Sequence, residues 1–538
     1  MKPLWIRHAW TFAALMLLFF VYAGDPPPGV NEAHYLVKAK NFWDPSYLST
    51  DLFASSGKAH WFFDVLFGWP TRFCSLETTA WIGRLAGWSI LAVGLIRLTR
   101  TVLGQTWLAI PVAMLWIAAI DHGNLAGEWV VGGIEAKVPA YGLVLIGISN
   151  VAAGRFDRAW IWMGAAAALH VLTGGWAVAA TLIARLILQL HRGRSDESLP
   201  TFFSTGLFLG GALSLLGVIP AAMMNLDGSG RSSIASMIYV YDRIPHHLLP
   251  SNFYASWYIR HSILVILTIT LLWQTPNTPI WQRLRNLLVG VLCIEATGLL
   301  IGCLPPIAPA FAASLLRFYW FRLSDALIPL LLSLGVTQLG VLQHGVLQLG
   351  VLQLGVTRPR SWSINVAKFT LAAGVIAFFI ASIDHMTGAV PVSVQNRLLG
   401  WQTGATADTL RQTWRDWRAV CRWAHDSTPP ETMFLTPRHQ QTFKWYSGRP
   451  EVVNWKDVPQ DAGSLIQWKQ RMQDIYPATL GNIKVTINYT KLRSFRRQYG
   501  ARYMIVDHRV VPAPIPLQKV YPQNPTNNQT YAVYDLPR

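Results

Sequence analysis

Apolar and polar stretches alternate regularly through residues 1–384. Apolar runs lie at about 9–23, 79–97, 107–120, 138–153, 201–220, 259–274, 286–303, 312–332 and 364–383. Each approaches the roughly 20 residues that a helix needs to cross a bilayer core. The run 159–191 is too long for one crossing, and Thr173-Gly174-Gly175 divides it. Two tightly paired helices meeting near Leu169-His170-Val171 are predicted there, which makes about eleven crossings.

Two long polar interruptions stand out, 24–78 and 221–258. In the first, Gly24, Pro26, Pro27, Pro28 and Gly29 stop the first helix. Asn31 can cap a new helix with Glu32 in its first turn. Ala33, Leu36, Val37 and Lys40 then share one stripe, closed by Phe42 and Trp43, as in an amphipathic helix lying in the membrane interface. A second amphipathic piece runs from His60 to Phe73, where Pro70 and Arg72 make a poor spanning helix.

The pattern changes near residue 385. Thr413 to Ala424 reads as a helix carrying Trp414, Trp417, Cys421 and Trp423. The segments 432–436, 503–507 and 531–534 read as strands. Strands alternating with helices predict a soluble α/β domain over 385–538, long enough for its own core. It contains no phosphate loop, no paired metal cysteines and no hydrolase nucleophile elbow. Its run from Arg493 to Arg497 reads as a solvated face. Residues 334–356 repeat Leu-Gly-Val-Leu-Gln with a period of five, which fits neither a helical face nor a strand and carries no function.

Composition supports the membrane reading. The chain is 52% hydrophobic and only 13% charged, with a mean hydropathy of +0.30, whereas soluble domains are about 25% charged. The fold class is therefore mainly α: a polytopic helical membrane bundle over 1–384 with a C-terminal soluble α/β domain. Short loops rich in Arg97, Arg100, Arg155, Arg158, Arg192, Arg283 and Arg285 mark one side as cytoplasmic. That places the N-terminus inside and both long polar loops and the tail outside. Lys2 and Arg7 precede an apolar run ending Val21-Tyr22-Ala23, the form of a signal-peptide cleavage site. The prolines directly after it favour a retained first helix. The net charge is +18, about half of it in the tail, which points to anionic lipid or lipid phosphate as a partner and not to nucleic acid. Cys74, Cys293, Cys303 and Cys421 form no disulfide framework; Cys293 and Cys303 are expected as small core residues.

With this topology, candidate chemistry collects on the outer side. Glu32, His34, Asp51 and His60 come from the first loop, and Asp121, His122, Glu128 and Glu135 from the next. Arg243, His246 and His247 lie in the loop 221–258; Arg317, Arg322 and Asp325 lie at the outer start of a later helix. Arginines on the outer side run against the positive-inside trend. Phosphate binding accounts for them, because guanidinium matches phosphate with paired donors. An Arg322–Asp325 pair one helical turn apart is the structural alternative, and both stand. Adjacent His246 and His247 do not form a metal spacing by themselves. His170 reads as a satisfied core histidine.

Pro28-Gly29-Val30-Asn31-Glu32-Ala33-His34-Tyr35, placed after one helix and followed by two juxtamembrane helices, resembles the GT-C superfamily of integral-membrane glycosyltransferases. The resemblance covers the layout of most of residues 1–384. It implies transfer of a sugar from a polyprenyl-phosphate carrier to an acceptor on the non-cytoplasmic face, in a bacterial inner membrane with a periplasmic tail. It makes Glu32 the general base or a metal-associated acid, with Mg or Mn as the possible divalent cation. Arg243, Arg317 or Arg322 would neutralise the lipid phosphate. His34, Asp51, His60, Asp121, His122, His246 and His247 would help bind substrate. Many members carry two neighbouring acids in this loop, whereas Glu32 here follows Asn31. Two other classes remain: a non-catalytic scaffold acting through its tail, and a transporter of lipid-linked substrate. A transporter is expected to show internal repeats and charges at mid-membrane. Apart from Arg185 and Glu295, the apolar segments are nearly free of ionisable residues.

Overall fold

The computed structural model describes residues 4–29, 31–190, 201–224, 230–342, 360–388, 390, 406–476, 488–512 and 514–538. The first helix, α1 (Leu4–Ala23), ends at the proline run. The first loop folds into α2 (Glu32–Trp43), α3 (Leu52–Ser55), α4 (Trp61–Gly68) and a 3-10 turn at Trp69–Arg72. Then come α5 (Leu76–Leu103), α6 (Ala109–Gly123), α7 (Lys137–Ala152), α8 (Phe156–Leu169), α9 (Val171–Leu190) and α10 (Thr205–Met223). The second long loop holds α11 (Arg231–Met237), a π turn at Ile238–Arg243 and α12 (Pro245–Leu248). The bundle continues through α13 (Ala255–Leu272), α14 (Pro279–Ile301), α15 (Pro309–Leu316) and α16 (Arg322–Thr337), and closes with the helix Ser361–Thr387.

Eight of these helices are long and apolar enough to cross a membrane, and α6 and α7 are shorter apolar helices. With α8, whose partner α9 starts directly after His170, they make up the eleven expected segments. The protein is a polytopic membrane protein. Outward faces expose Phe208, Ile263, Phe369 and Phe379, while the interior packs Trp88, Trp116, Tyr141, Leu287 and Leu331. Helices approach closely where a side chain is missing. A Cβ on Gly210 of α10 would lie 2.3 Å from the Trp160 carbonyl oxygen of α8, the small-residue contact that lets helices associate inside lipid.

Several expectations are corrected here. The single segment 312–332 is two helices, α15 and α16, with a turn at 317–321 between them. Cys293 and Cys303 are exposed on the bundle surface, and it is Cys421 that sits in a core. Of the five-residue repeat, 334–342 continues α16 into a π turn; 343–356 lies outside the described residues.

The tail contains the expected helix and three strands, together with a fourth strand and the helices Ala462–Ile475 and Tyr489–Tyr499, which the pattern did not show. The helix Ala407–Ser427 precedes β1 (Met433–Leu435); β2 (Ala501–Asp507), β3 (Lys519–Tyr521) and β4 (Tyr531–Asp535) complete a sheet of order β1-β2-β4-β3. β1 and β2 are parallel, and the other two pairs are antiparallel. The helix is longer than the expected 413–424 because Thr406 caps it, accepting from the Thr409 amide. Its buried face, Trp417, Val420 and Cys421, packs on Phe443, Tyr503 and Tyr531.

The tail is fastened to one end of the bundle. Lys444 lies buried among Glu451 (2.5 Å), Asp51 (3.5 Å) and Asp457, and Asp457 also pairs with His34 of α2. Asp461 accepts from the Gly57 amide at 3.0 Å, and Arg243 Nε donates to the Trp455 carbonyl at 2.9 Å.

Candidate functional site

The Asn31–Glu32 step sits where three segments meet. Glu32 is fully buried and accepts from Arg84 Nε and Nη2 of α5, both at 2.6 Å. It also accepts from the Ile134 amide at 2.7 Å and from the Gly29 amide. Gly133 permits this approach, since a Cβ there would lie 2.7 Å from the Glu32 side chain. The carboxylate thus clamps the first loop, α5 and the loop 124–136 together. Its neighbour Asn31 is left beside Glu135, to which Asn31 Nδ2 donates at 2.6 Å.

One cavity adjoins this clamp, and a second shares part of that cavity's wall. The first, about 240 Å³, is polar; among its walls are Asn31, Lys38, Asp64, Glu128, Glu135 and Arg243. The second, about 720 Å³, is mainly apolar, with Val171, Leu172, Val218, Ala222 and Phe318 in its wall. They share Tyr35, His60, Tyr239, Tyr319 and Arg322. At that junction Arg322 Nε pairs with Glu128 at 2.7 Å, Nη1 meets His170 Nε2 at 2.9 Å, and the guanidinium stacks on the Tyr319 ring at 4.1 Å. The Tyr239 and Tyr319 hydroxyls are hydrogen-bonded at 2.9 Å. Tyr319 has φ +53°, a conformation that a residue with a side chain adopts only when its surroundings hold it there.

The expected residues divide into three groups. His34, His60, Arg243, His246, His247 and Arg322 line the polar cavity, and Arg317 lines the apolar one while donating to Ser236 Oγ at 3.0 Å. Asp51 lies apart: it caps α3 and joins the Lys444 cluster. Asp121 and His122 lie apart too, because α6 ends before the cavity. Asp121 accepts from the Tyr22 hydroxyl at 2.7 Å, and His122 bonds its own helix at the Ala118 carbonyl. Glu32, expected at the cavity mouth, is inside the clamp and outside the cavity wall. The Arg322–Asp325 alternative is not formed either: Asp325 accepts from the Leu125 and Ala126 amides at 2.7 and 2.8 Å, and Arg322 turns to Glu128. His170 is buried as expected, yet it touches the junction arginine.

Tyr35, Lys38, Asp64, Tyr239, Tyr319 and Lys456 were not legible as site residues. Lys38 and Asp64 lie within the amphipathic helices α2 and α4, whose polar face looks merely solvated; the close spacing of Arg317, Tyr319 and Arg322 was the available signal at the junction. Glu135 was visible only as one loop acid among several.

Electrostatics separate the carboxylates. Burial alone would raise Glu128, but Lys137 and Arg322 outweigh it and hold the carboxyl below its ordinary value. Burial pushes Glu135 up, with only partial relief from Lys137 and Asn31. Asp64 is pushed up to about 7 by burial, and burial beside Lys58 pulls Lys38 down to about 7. Burial, with Arg322 and Lys38, lowers His60 to about 3. Among the described residues, no group of three or more His, Cys, Asp or Glu is gathered as a metal site. Of the four carboxylates lining the polar cavity, Glu128 is held by two cations and Asp325 by two amides, while Glu135 accepts from Asn31 and Asp64 stands near Lys38 and Lys58. Among the described residues this donor set does not fit a divalent cation.

A family model described as "Domain of unknown function (DUF6798)" matches residues 415–475, a stretch that includes the tail loop reaching the cavity through Lys456 and Gln460. No curated protein matches the sequence. Solved structures similar to the chain include the Archaeoglobus fulgidus oligosaccharyltransferase in the apo form, 12% identical with a TM-score of 0.45, covering 94% of this chain and 70% of that one. ArnT from Cupriavidus metallidurans bound to undecaprenyl phosphate is 12% identical with a TM-score of 0.46, covering 100% of this chain and 99% of that one. ArnT in the apo state is 13% identical with a TM-score of 0.40, covering 99% and 98%. At that level of likeness, the chemistry of this chain has to come from its own residues.

Proposed function

We propose that the chain is a membrane glycosyltransferase that moves a sugar from a polyprenyl-phosphate carrier to an acceptor hydroxyl on the non-cytoplasmic face, in a bacterial inner membrane. In this reading residues 1–384 are the transfer module, and residues 385–538 form a periplasmic unit that closes the polar chamber. The observation that supports it most directly is the junction: an apolar cavity suited to an isoprenoid chain opens into a polar chamber, and Arg322, His60 and three tyrosines surround the opening.

The isoprenoid would lie along Val171, Leu172, Val218 and Phe318, which removes apolar surface from water. Its phosphate would stop at Arg322, with Arg317 behind it and the Tyr239–Tyr319 hydroxyl pair as donors. The sugar would project into the polar chamber. The acceptor oxygen would attack the anomeric carbon as the bond from that carbon to the phosphate oxygen breaks. The electron pair leaves on the lipid phosphate, and the acceptor proton passes to a carboxylate. Fixed cations in a chamber shielded from water stabilise that leaving charge far better than bulk solvent does.

Glu135 is the base in this reading, and Glu32 is the residue that positions it. Glu135 lines the chamber and its carboxyl is raised, whereas Glu32 is spent on four hydrogen bonds. Glu128 stays ionised and holds Arg322.

The test is native mass spectrometry of the gently purified protein, followed by a transfer assay with the lipid that it retains. Polyprenyl phosphate should co-purify, be lost in Arg322→Ala and be partly retained in Arg322→Lys. Glu135→Gln should keep the lipid and slow transfer by about 10²–10⁴-fold, the usual worth of a general base. Bulk phospholipid alone, unchanged in every variant, would overturn the proposal.

A further inference from the structure

The tail helix Ala407–Ser427 has a second face that the proposed transfer reaction does not use. Arg411, Arg415, Arg418 and Arg422 are all exposed. At 100° per residue they fall on one narrow stripe, opposite the buried Trp417, Val420 and Ala424. Among the described residues, Asp408 is the acid ion-paired to the stripe, at 2.9 Å from Arg411. Asp416, on the same helix, turns inward and is occupied by the Thr530 amide and hydroxyl.

The place of this helix gives the stripe its meaning. Trp414 shares a hollow with Phe20, Val21, Gly24 and Pro26 at the end of α1, and with His385 and Met386 at the end of the helix Ser361–Thr387. Those two membrane-spanning helices end together there, joined by the Asp25–His385 contact at 3.1 Å. Exposed aromatic residues gather at the same end: Phe20 lies against Trp81 in the first turns of α5, and Trp69 and Phe73 are exposed just before it. Such a girdle marks the level of the lipid headgroups. Arg411, Arg415 and Arg418 all stand within about one helical turn of Trp414.

We propose that this arginine stripe is a docking surface for the headgroups of anionic phospholipids in the surrounding bilayer, and that it seats the tail on the membrane. Four guanidinium groups near the girdle match phosphates with paired donors, and among the described residues only Arg411 of the four is in an ion pair, with Asp426 standing exposed one turn beyond Arg422. Each cation held within a Debye length of an anionic surface strengthens binding roughly fivefold, and salt screens the effect over about 8–10 Å.

The experiment places the full chain in nanodiscs of phosphatidylcholine alone, or of phosphatidylcholine and phosphatidylglycerol in equal parts. Hydrogen exchange is followed over 407–427. Exchange should slow at least fivefold in the anionic discs, and the difference should vanish in high salt. The variant with all four arginines changed to Gln should lose the difference while keeping its melting temperature in phosphatidylcholine, because all four side chains are exposed. The variant with four Lys should retain most of it. Equal exchange in both discs, or a lipid effect that survives the Gln variant or high salt, would overturn the proposal and leave an acidic glycan or protein as the partner to seek.

Discussion

Replacing Glu32 by Gln separates a clamp from a base. The carboxylate holds Arg84 through two bonds of 2.6 Å, and the Arg84 side chain is 1% exposed. An amide in its place can accept one of those bonds but turns its donor end toward the second guanidinium nitrogen. The result is an uncompensated buried cation. Breaking such a pair from one side costs about 3–5 kcal/mol. Arg84 Nη1 also reaches the Asp25 and Ala23 carbonyls, which puts the cost toward the lower end. At about 2 °C per kcal/mol for a large chain, the melting midpoint should fall by roughly 6 °C. A paired change, Glu32→Leu with Arg84→Met, should recover much of that loss, since a well-packed apolar pair often replaces a buried ion pair without penalty. The assay is thermal unfolding in detergent, run beside transfer activity. If Glu32→Gln keeps the wild-type midpoint and yet abolishes transfer, the clamp reading is refuted and Glu32 itself is the base.

Lys444 neutralises Asp51, Glu451 and Asp457 at the seam between the first loop and the tail, so Lys444→Met should leave three buried carboxylates facing one another. We expect a loss of about 3–5 kcal/mol and protease cleavage between bundle and tail, read by limited proteolysis; an unchanged digestion pattern would show that the cluster does not hold the seam. Acid should weaken the fold through His60 and His247, which burial keeps near pKa 3 against about 6.5 in the unfolded chain. Protons then bind the unfolded chain preferentially, so their contribution is full above about pH 6.5 and is lost as pH falls toward 3; melting midpoints measured across that range should drop, and less steeply in His60→Asn. Transfer should fall as pH drops through the raised value of Glu135, because a protonated carboxyl cannot take the acceptor proton, and Asn31→Ala, which removes a bond that favours the ionised form, should move the midpoint of the pH–rate profile upward.

The spanning helices and, in the tail, one helix and three of the four strands were legible because their causes are local. A helix in lipid must bury its own backbone bonds and present apolar side chains along about 20 residues, so each crossing is written in its own segment. The proline run, the α2 stripe and the strand at 503–507 are likewise local, and the structure contains α2 and β2 at those places. The turn at 317–321 inside an apolar run was not legible, because an apolar run looks alike whether one helix or two fill it.

The site was only half visible for the opposite reason. Residue type announced that Glu32, Arg322 and His34 needed partners, since buried charge must be paired. It did not announce which partners. Arg84 lies 52 positions from Glu32, and Asp457 comes to His34 from another part of the chain altogether. The sequence by itself determined that this protein lives in a membrane, where its helices run and which charged residues wait at their ends. Only the tertiary structure decided that Glu32 is consumed by a clamp, that Arg322 chooses Glu128 over Asp325, and that Glu135 faces the chamber. Long-range pairing follows from how helices pack, and packing is a property of surfaces brought together, not of any one stretch of chain.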